Sequence, residues 1–454
     1  MSQISFREKI GFSVGEYASS MVWQTLMFFL PMFYTDTFGL TAGTLATLFV
    51  LVRVLDAFAD PLMGLLADRT KTRWGRFRPY ILWMAVPYGL GLVLMFTTPE
   101  LSSGGKIVYA YATYTLMMLL YTAISIPYNS MIGVVSPDQD DRASISSYKF
   151  IFAYLAGASV QFLIVPMVKK FGEGNSAHGY QISMGIFAVI AIVLFLVTFL
   201  SARERVQPDP NQQTNIRTDL QDLLTNRPWV ILFCVSLASL IYIAIRSAAV
   251  SYYFKYNLGR EDQMGLFMAL GTLMTLVGVF PTTWLAARLG KVRLYKLCFA
   301  LVSLSYVPFF FFDAAQIKLI YLAQALGALA GGPLFPLLWG MIADTVDYSE
   351  WKTGRRATGL AFSALTFSQK FGFGIGGWLV MALFAGTGFV ANMPQSPTAL
   401  LGIRLSVSLL PAALCLAGAG LLFFYPLDEA QMEKIGRELA LRRIQRQPSS
   451  IPIK

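Results

Sequence analysis

Arg53, Asp56 and Asp60 stand at i, i+3 and i+7 inside the apolar stretch VRVLDAFADPLMG, residues 52–64. On a helix they share one face. Arg53 can neutralise Asp56, and Asp60 lies one turn beyond, just before Pro61. Two carboxylates that close resist joint ionisation, so one of them holds a proton more tightly. Such a pair can hold a cation or carry a proton. The competing reading is a buried ion-pair network that only locks helices, with Lys370 or Lys149 balancing the second acid. A charge in the middle of an apolar span costs at least ~2.5 kcal/mol on insertion scales, and such residues mark ion and substrate pathways.

Other polar residues share this setting. Glu16, Lys149, Arg246 and Lys370 fall mid-span, whereas Lys296 and Arg404 lie near span ends, where long side chains reach the interface. Arg246 and Lys370 either bind an anionic group or serve as counter-charges to the aspartates. Ser20, Trp23, Gln24 and Met27 form one helical face; Tyr121, Ser125 and Asn129 form another, around Pro127. Hydroxyls, amides and flat rings together suit a sugar, with hydrogen bonds for its hydroxyls and a ring face for its C–H side. The same residue types also glue membrane helices together. The glycines of KFGFGIGGW, 370–378, follow no strand and lie inside a span, which points to close helix packing and not to a nucleotide loop. The chain offers no nucleophile–base set, no metal-ligand cluster and no cofactor loop, so no enzyme activity and no cofactor are expected.

The elements that position these residues follow from composition. Of 454 residues, 56% are hydrophobic and 13% charged, too few charges for a soluble surface of this size. Twelve apolar runs, roughly 11–33, 42–67, 80–98, 107–134, 148–168, 182–201, 229–251, 265–287, 294–313, 319–342, 359–384 and 404–425, each approach the ~20 residues that span a bilayer. Lipid offers the backbone no hydrogen bonds, so the spans must be helices. The first run is too long for a signal-peptide core and lacks a small-residue cleavage site, so it is expected to be retained.

The net charge of +11 is topological. Arg69, Lys71, Arg73, Arg76 and Arg78 crowd one loop; Arg203, Arg205, Arg217 and Arg227 the central loop; and Lys434, Arg437, Arg442, Arg443, Arg446 and Lys454 the tail. Loops of the opposite parity hold only Lys106, Lys169, Lys170, Lys255, Arg260 and Lys318. This asymmetry places both termini in the cytoplasm and argues against nucleic acid as partner. Cys234, Cys298 and Cys415 are scattered through apolar spans and support neither a disulfide framework nor a metal site. His178, the only histidine, falls in an expected outer loop.

The polar stretch 201–228 divides the spans six and six, giving segments 1–200 and 229–425 and a tail, 426–454. Within it RTDLQDLLTN reads as a short amphipathic helix. GLLADRTKTRWGR (64–76) echoes TWLAARLGKVRLY (283–295), and SPDQDDRAS (136–144) echoes ADTVDYSEWKTGRRATG (343–359). Six helices repeated in the same orientation is the parallel-repeat plan, with a site at the midplane between halves; shared basic loop composition is the alternative explanation of the echoes. The tail reads as an amphipathic helix on the inner leaflet, with Met432, Ile435 and Leu439 on one face.

Together YTDTFGL, VRVLDAFADPLMGLLADRTKTRWGRFRPY, YTAISIPYNSM, SYKFIFAYLAG, YYFKYNLG, IADTVDYSEWKTGRRATG, SQKFGFGIGG and FYPLDEAQMEKI resemble, in order along the whole chain, the glycoside–pentoside–hexuronide:cation symporters of the major facilitator superfamily. The resemblance implies an all-α membrane protein with twelve transmembrane helices in two halves that alternate access by rocking. It implies cation binding at Asp56, Asp60 and Thr122. It also places Lys370, Tyr121, Trp339 and Arg53 near the cavity, beside Ser20, Trp23, Gln24, Ser125, Asn129, Lys149 and Arg246 as candidate substrate residues. Gating contacts are expected around Asp68, Arg69 and Arg73, at Asp141 and Arg142, and at Asp344, Asp347 and Arg355. Two departures stand out. Ser20 and Ser125 occupy positions where the melibiose carrier has sugar-reading aspartates, which argues against an α-galactoside. Ala59 stands where sodium-binding members have Asn; by analogy with other hard cations Na⁺ wants many oxygen ligands, so H⁺ is favoured. With Lys149 and Arg246 present, an acidic sugar and a neutral one both remain open. A lysolipid:cation symporter of the same fold is the alternative cargo reading. A monomer in the cell membrane is expected, the inner membrane in a Gram-negative cell.

Overall fold

The computed structural model describes residues 4–136, 139–205, 223–354 and 358–446, with the side chains of residues 57, 68, 139, 140, 143, 358–360, 362, 363, 366, 440 and 442–446 also outside the description. Most of RTDLQDLLTN falls outside it. Among the described residues the chain is all-helical apart from one isolated bridge between Thr72 and Gly75.

Before the central loop run α1 (Phe6–Phe28), α2 (Ala42–Arg69), α3 (Arg78–Met95), α4 (Ser103–Ser130), α5 (Gln139–Gly172) and α6 (Ser176–Ser201). After it come α7 (Arg227–Tyr252), α8 (Met264–Val279), the short α9 (Thr282–Leu289), α10 (Lys291–Tyr306), α11 (Ile317–Gly331), α12 (Leu334–Thr353), α13 (Thr358–Gly386), α14 (Pro397–Val407), α15 (Leu409–Leu421) and α16 (Glu429–Arg446). Local chemistry sets many of the starts. Ser5, Thr41, Ser102, Asn175, Asn226 and Ser396 each accept a backbone N–H from the first turn of the helix that follows, which satisfies an otherwise orphaned donor.

Ten helical stretches among the described residues, from Ala42–Ala67 to Pro397–Phe424, are long and apolar enough to cross a membrane. The runs expected at 11–33 and 359–384 are helical too, as α1 and α13, but are not among those ten. For α1 the reason is a polar face of Glu16, Ser19, Ser20 and Gln24. Large apolar side chains remain on the outer surface, with Phe58 73% and Phe280 78% exposed. Hydrocarbon, not water, is the medium that makes such a surface stable.

In the first part of the chain α1 packs on α5 and α6, while α4 packs on α2 and α3. In the second part α7 packs on α13 and α15, and α10 on α11 and α15. The two parts meet where α2 lies along α13 and α5 along α8. Beyond α1 and α7 the chain makes matching π-helical turns, Phe33–Thr37 and Tyr253–Asn257. The backbone bonds Phe38 N to Phe33 O and Leu40 N to Tyr34 O, both 2.8 Å, recur as Leu258 N to Tyr253 O at 3.1 Å and Arg260 N to Phe254 O at 2.9 Å.

One expectation changes. The tail helix α16 exists, but its apolar face is covered by protein: Ile435 and Leu439 are each 4% exposed and join the core of the second part. Glu438 accepts the Trp351 indole N–H at 2.6 Å. An amphipathic pattern says only that one face is covered; here α12 supplies the cover that a leaflet was expected to supply.

Candidate functional site

The charged face of α2 meets α4 and α13. Arg53 Nη1 lies 3.0 Å from Asp56 Oδ2, with both side chains buried. Asp60 accepts the Thr122 hydroxyl at 2.9 Å on one oxygen and pairs with Lys370 of α13 on the other. Lys370 thus balances the second acid, across the line where the two parts of the chain meet. Lys149 is committed elsewhere: it lies 3.1 Å from Glu16, donates to Asn129 Oδ1 at 2.7 Å and sits 4.3 Å over the Tyr128 ring. Ser20 donates to the same Glu16 at 3.2 Å. Gly374 explains part of the glycine run on α13, since a Cβ there would stand 2.4 Å from Cγ of Arg53.

Trp23 joins this cluster to a cavity. Its ring lies 5.4 Å from the Arg53 guanidinium and 5.2 Å from the Tyr121 ring, and it walls a cavity of about 390 Å³ between the two parts. Gln24 and Arg246 also line the cavity; Ser20, Tyr121, Ser125, Asn129, Lys149, Trp339 and Lys370 are not among its walls. Trp339 sits behind the wall residue Phe335, ring to ring at 6.1 Å. Sequence reasoning missed Gln161, Thr272 and Gln324. Gln161 accepts the Thr272 hydroxyl at 2.7 Å, joining α5 to α8 inside the cavity wall. The available signal was the one applied to Gln24: an amide inside an apolar span.

The described contacts of the expected gating residues are these. Asp141 pairs with Lys9 at 2.9 Å, and Arg142 donates to the Ser136 carbonyl at 3.1 Å. Asp344 pairs with Lys291 at 2.7 Å, and Asp347 follows one turn on along α12. Arg69 is exposed in the last turn of α2, and Arg73 stacks on Trp74 at 4.5 Å. Arg355 and the Asp68 side chain lie outside the described residues. Just past α6, Arg205 grips Glu8 with two bonds of 2.6 and 2.8 Å, which raise its guanidinium pKa further above the ordinary value.

A contact that sequence reasoning did not identify joins the two π-helical turns. Asp36, with 4% of its side chain exposed, pairs with Lys255. It also accepts the Tyr256 hydroxyl at 2.6 Å and one from Thr35 at 2.7 Å. Asn392 donates its side-chain amide to the Asp36 carbonyl at 2.6 Å and accepts from Lys255 at 2.8 Å. Thr35 and Tyr252 meet at 2.9 Å beneath it. Asp36 and Lys255 both stand in quoted motifs, but their pairing needs two helix ends to converge.

Among the described residues no group of three or more His, Cys, Asp or Glu side chains could hold a metal ion, and the three cysteines are free. A second, apolar groove of about 640 Å³ lies between α8, α10 and α11; it shares no wall residue with the cavity.

Solved structures that share this fold include transporters. A bacterial homologue of the human lysosomal transporter Spinster superposes with TM-score 0.68 at 12% identity, covering 96% of this chain and 99% of that one. The nucleoside transporter NupG gives 0.64 at 11%, covering 91% and 98%. At such identities the likeness is one of fold. Residues 11–429 match the family described as MFS/sugar transport protein. Relatives include the "Putative glycoside/cation symporter YagG" of Escherichia coli (strain K12), 36% identical over 98% of this chain and 96% of its own. The "Inner membrane symporter YicJ" of the same organism is 34% identical over 98% of each chain. The "Isoprimeverose transporter" of Lactiplantibacillus pentosus is 34% identical over 95% and 90%. The chain belongs to the MFS/sugar transport family, in its glycoside–pentoside–hexuronide:cation symporter branch, and is a multi-pass membrane transporter and not an enzyme.

Proposed function

We propose that the protein is a secondary active symporter that couples uptake of a sugar to a cation by alternating access. Twelve spans form two six-helix halves, 1–200 and 229–425, joined by a cytoplasmic loop at 201–228 and followed by a cytoplasmic tail, 426–454. The halves rock about the central cavity, as parallel-repeat transporters do. The names of the relatives, a glycoside/cation symporter and an isoprimeverose transporter among them, support a sugar cargo and cation coupling. The amide- and aromatic-lined cavity fits that cargo better than a lysolipid, and the apolar groove that would suit a lipid tail is separate from it.

The observation that carries this reading is the position of Asp60, shared between Thr122 of one half and Lys370 of the other. A cation arriving at Asp60 competes with Lys370 for the same carboxylate, so ion binding and the contact between halves are linked. Asp56 holds Arg53, and Arg53 lies against Trp23 in the cavity wall; occupancy of the cavity and of the ion site therefore act on one side chain. Asp56, Asp60 and Thr122 bind the ion. Ser20, Tyr121, Ser125, Asn129, Lys149, Trp339 and Lys370 surround the sugar site from behind its walls or as it changes shape. Ala59 adds no side-chain oxygen beside the acids, which favours H⁺ over Na⁺.

Uptake of labelled glycosides, pentosides and uronides into vesicles, with pH and sodium gradients imposed separately, tests the reading. Accumulation driven by a pH gradient in sodium-free buffer is expected. Loss of uptake on sodium removal at constant pH would replace the proton with Na⁺; accumulation of none of these sugars would overturn the cargo.

A further inference from the structure

Among the described residues Arg246 is the only charged side chain in the cavity wall, and Asp56, Asp60 and Glu16 of the mid-membrane region are already matched, with Arg53, Lys370 and Lys149 in turn. A buried cation that has no acid beside it among the described residues invites an anionic ligand. The surroundings of Arg246 answer otherwise. Its guanidinium lies 4.1 Å from the Tyr306 ring centre and 4.4 Å from that of Phe309, and the residue is only 7% exposed. One nitrogen donates to the Val407 carbonyl, the other to Gln324 Oε1 at 2.6 Å. Ring faces and neutral oxygens meet this charge inside the protein.

The bond to Gln324 has a consequence for the cavity. A guanidinium only donates, so the Gln324 amide must turn its oxygen to Arg246 and its nitrogen away. Among the described residues no acceptor meets that Nε2. It lies over Gly271, where a Cβ would stand 2.1 Å from it, so the space the amide occupies exists only because residue 271 has no side chain. Gln324 and Gly271 both line the cavity. We propose that Gln324 contacts the substrate, donating from Nε2 to a neutral oxygen of a glycoside, and that Arg246 is its positioning residue. This rests on the sugar-transport reading and narrows it to a neutral glycoside that presents a hydroxyl or ring oxygen to α11.

The test is initial-rate uptake into proteoliposomes of a panel of 4-nitrophenyl glucosides and xylosides and the matching glucuronides. For the wild type a neutral glycoside is expected to be taken up; uptake of no glycoside at all overturns both the cargo and this inference, and uptake of glucuronides alone overturns the inference while leaving sugar transport standing. Gln324→Leu is expected to raise KM for the neutral glycoside about tenfold, the worth of one buried hydrogen bond, with little change in maximal rate. Gln324→Glu keeps an acceptor for Arg246 and loses the donor, so it should raise KM similarly while its unfolding temperature stays near that of the wild type. Arg246→Gln should raise the same KM, and the double variant Arg246→Gln/Gln324→Leu should be no worse than Gln324→Leu alone, because Arg246 acts through Gln324. Additive effects, an unchanged KM in Gln324→Leu, or a loss in Arg246→Gln confined to glucuronides would each overturn the assignment.

Discussion

Among the described contacts, the two ends of the helix bundle are held differently. At the end where α1 and α7 finish, Asp36, Lys255, Tyr256 and Asn392 stitch the first part of the chain to the second, with one buried carboxylate at the centre. At the end where residues 8 and 9 lie, the described ion pairs each stay within one part: Lys9 with Asp141, Glu8 with Arg205, Lys291 with Asp344. Glu204 there accepts the backbone N–H groups of Arg76, Phe77 and Arg78 at 2.7–2.9 Å, again within one part. On the proposed rocking mechanism, the first kind of contact has to break when the two halves part at that end. On the same mechanism, the second kind travels with its own half. Between the ends lies the Asp60–Lys370 pair, a charged bridge between α2 and α13.

Breaking that midpoint has the largest expected effect. Asp60→Asn should abolish uphill accumulation in vesicles while leaving the protein folded, since a neutral amide cannot exchange Lys370 for a cation; a variant that still concentrates sugar would remove Asp60 from the coupling site. Asp56→Asn should do the same by freeing Arg53. Asp36→Asn comes next. It leaves Lys255 without its buried counter-charge, a change that costs several kcal/mol in the closed arrangement. In a chain with Cys234, Cys298 and Cys415 replaced by alanine, a Thr35→Cys thiol, buried beneath the contact, should then react with a membrane-impermeant maleimide about tenfold faster or more. Lys291→Gln should leave that labelling rate and the KM for sugar unchanged, lowering only the unfolding temperature, because its bond to Asp344 lies within one part. Equal labelling in the two variants would erase the distinction between the ends. The smallest effect belongs to Glu8→Gln: its bidentate bond with Arg205 is partly exposed, worth about 0.5 kcal/mol, so uptake should be unaffected and the unfolding temperature should fall by about 1 °C or less.

Much of this was legible in the amino-acid order. Apolar run length and lipid's lack of hydrogen-bonding partners dictate helices, and ten of the expected spans reappear with their length and apolarity. The i, i+3, i+7 spacing of Arg53, Asp56 and Asp60 determined a shared face and the Arg53–Asp56 bond, because both are set within two helical turns. The inward face of α1 likewise put Trp23 and Gln24 at the cavity.

What tertiary packing alone decided are the partners across long stretches of chain. Whether Lys149 or Lys370 answers Asp60 depends on which helix lies beside α2. Asp36 finds Lys255 only where two helix ends converge, Gln324 is turned by an arginine on another helix, and the apolar face of α16 was destined for a cover that periodicity cannot name. A period of 3.6 residues records which way a side chain points from its own axis; what stands opposite it is set by how whole helices pack, and that is a property of the assembled bundle.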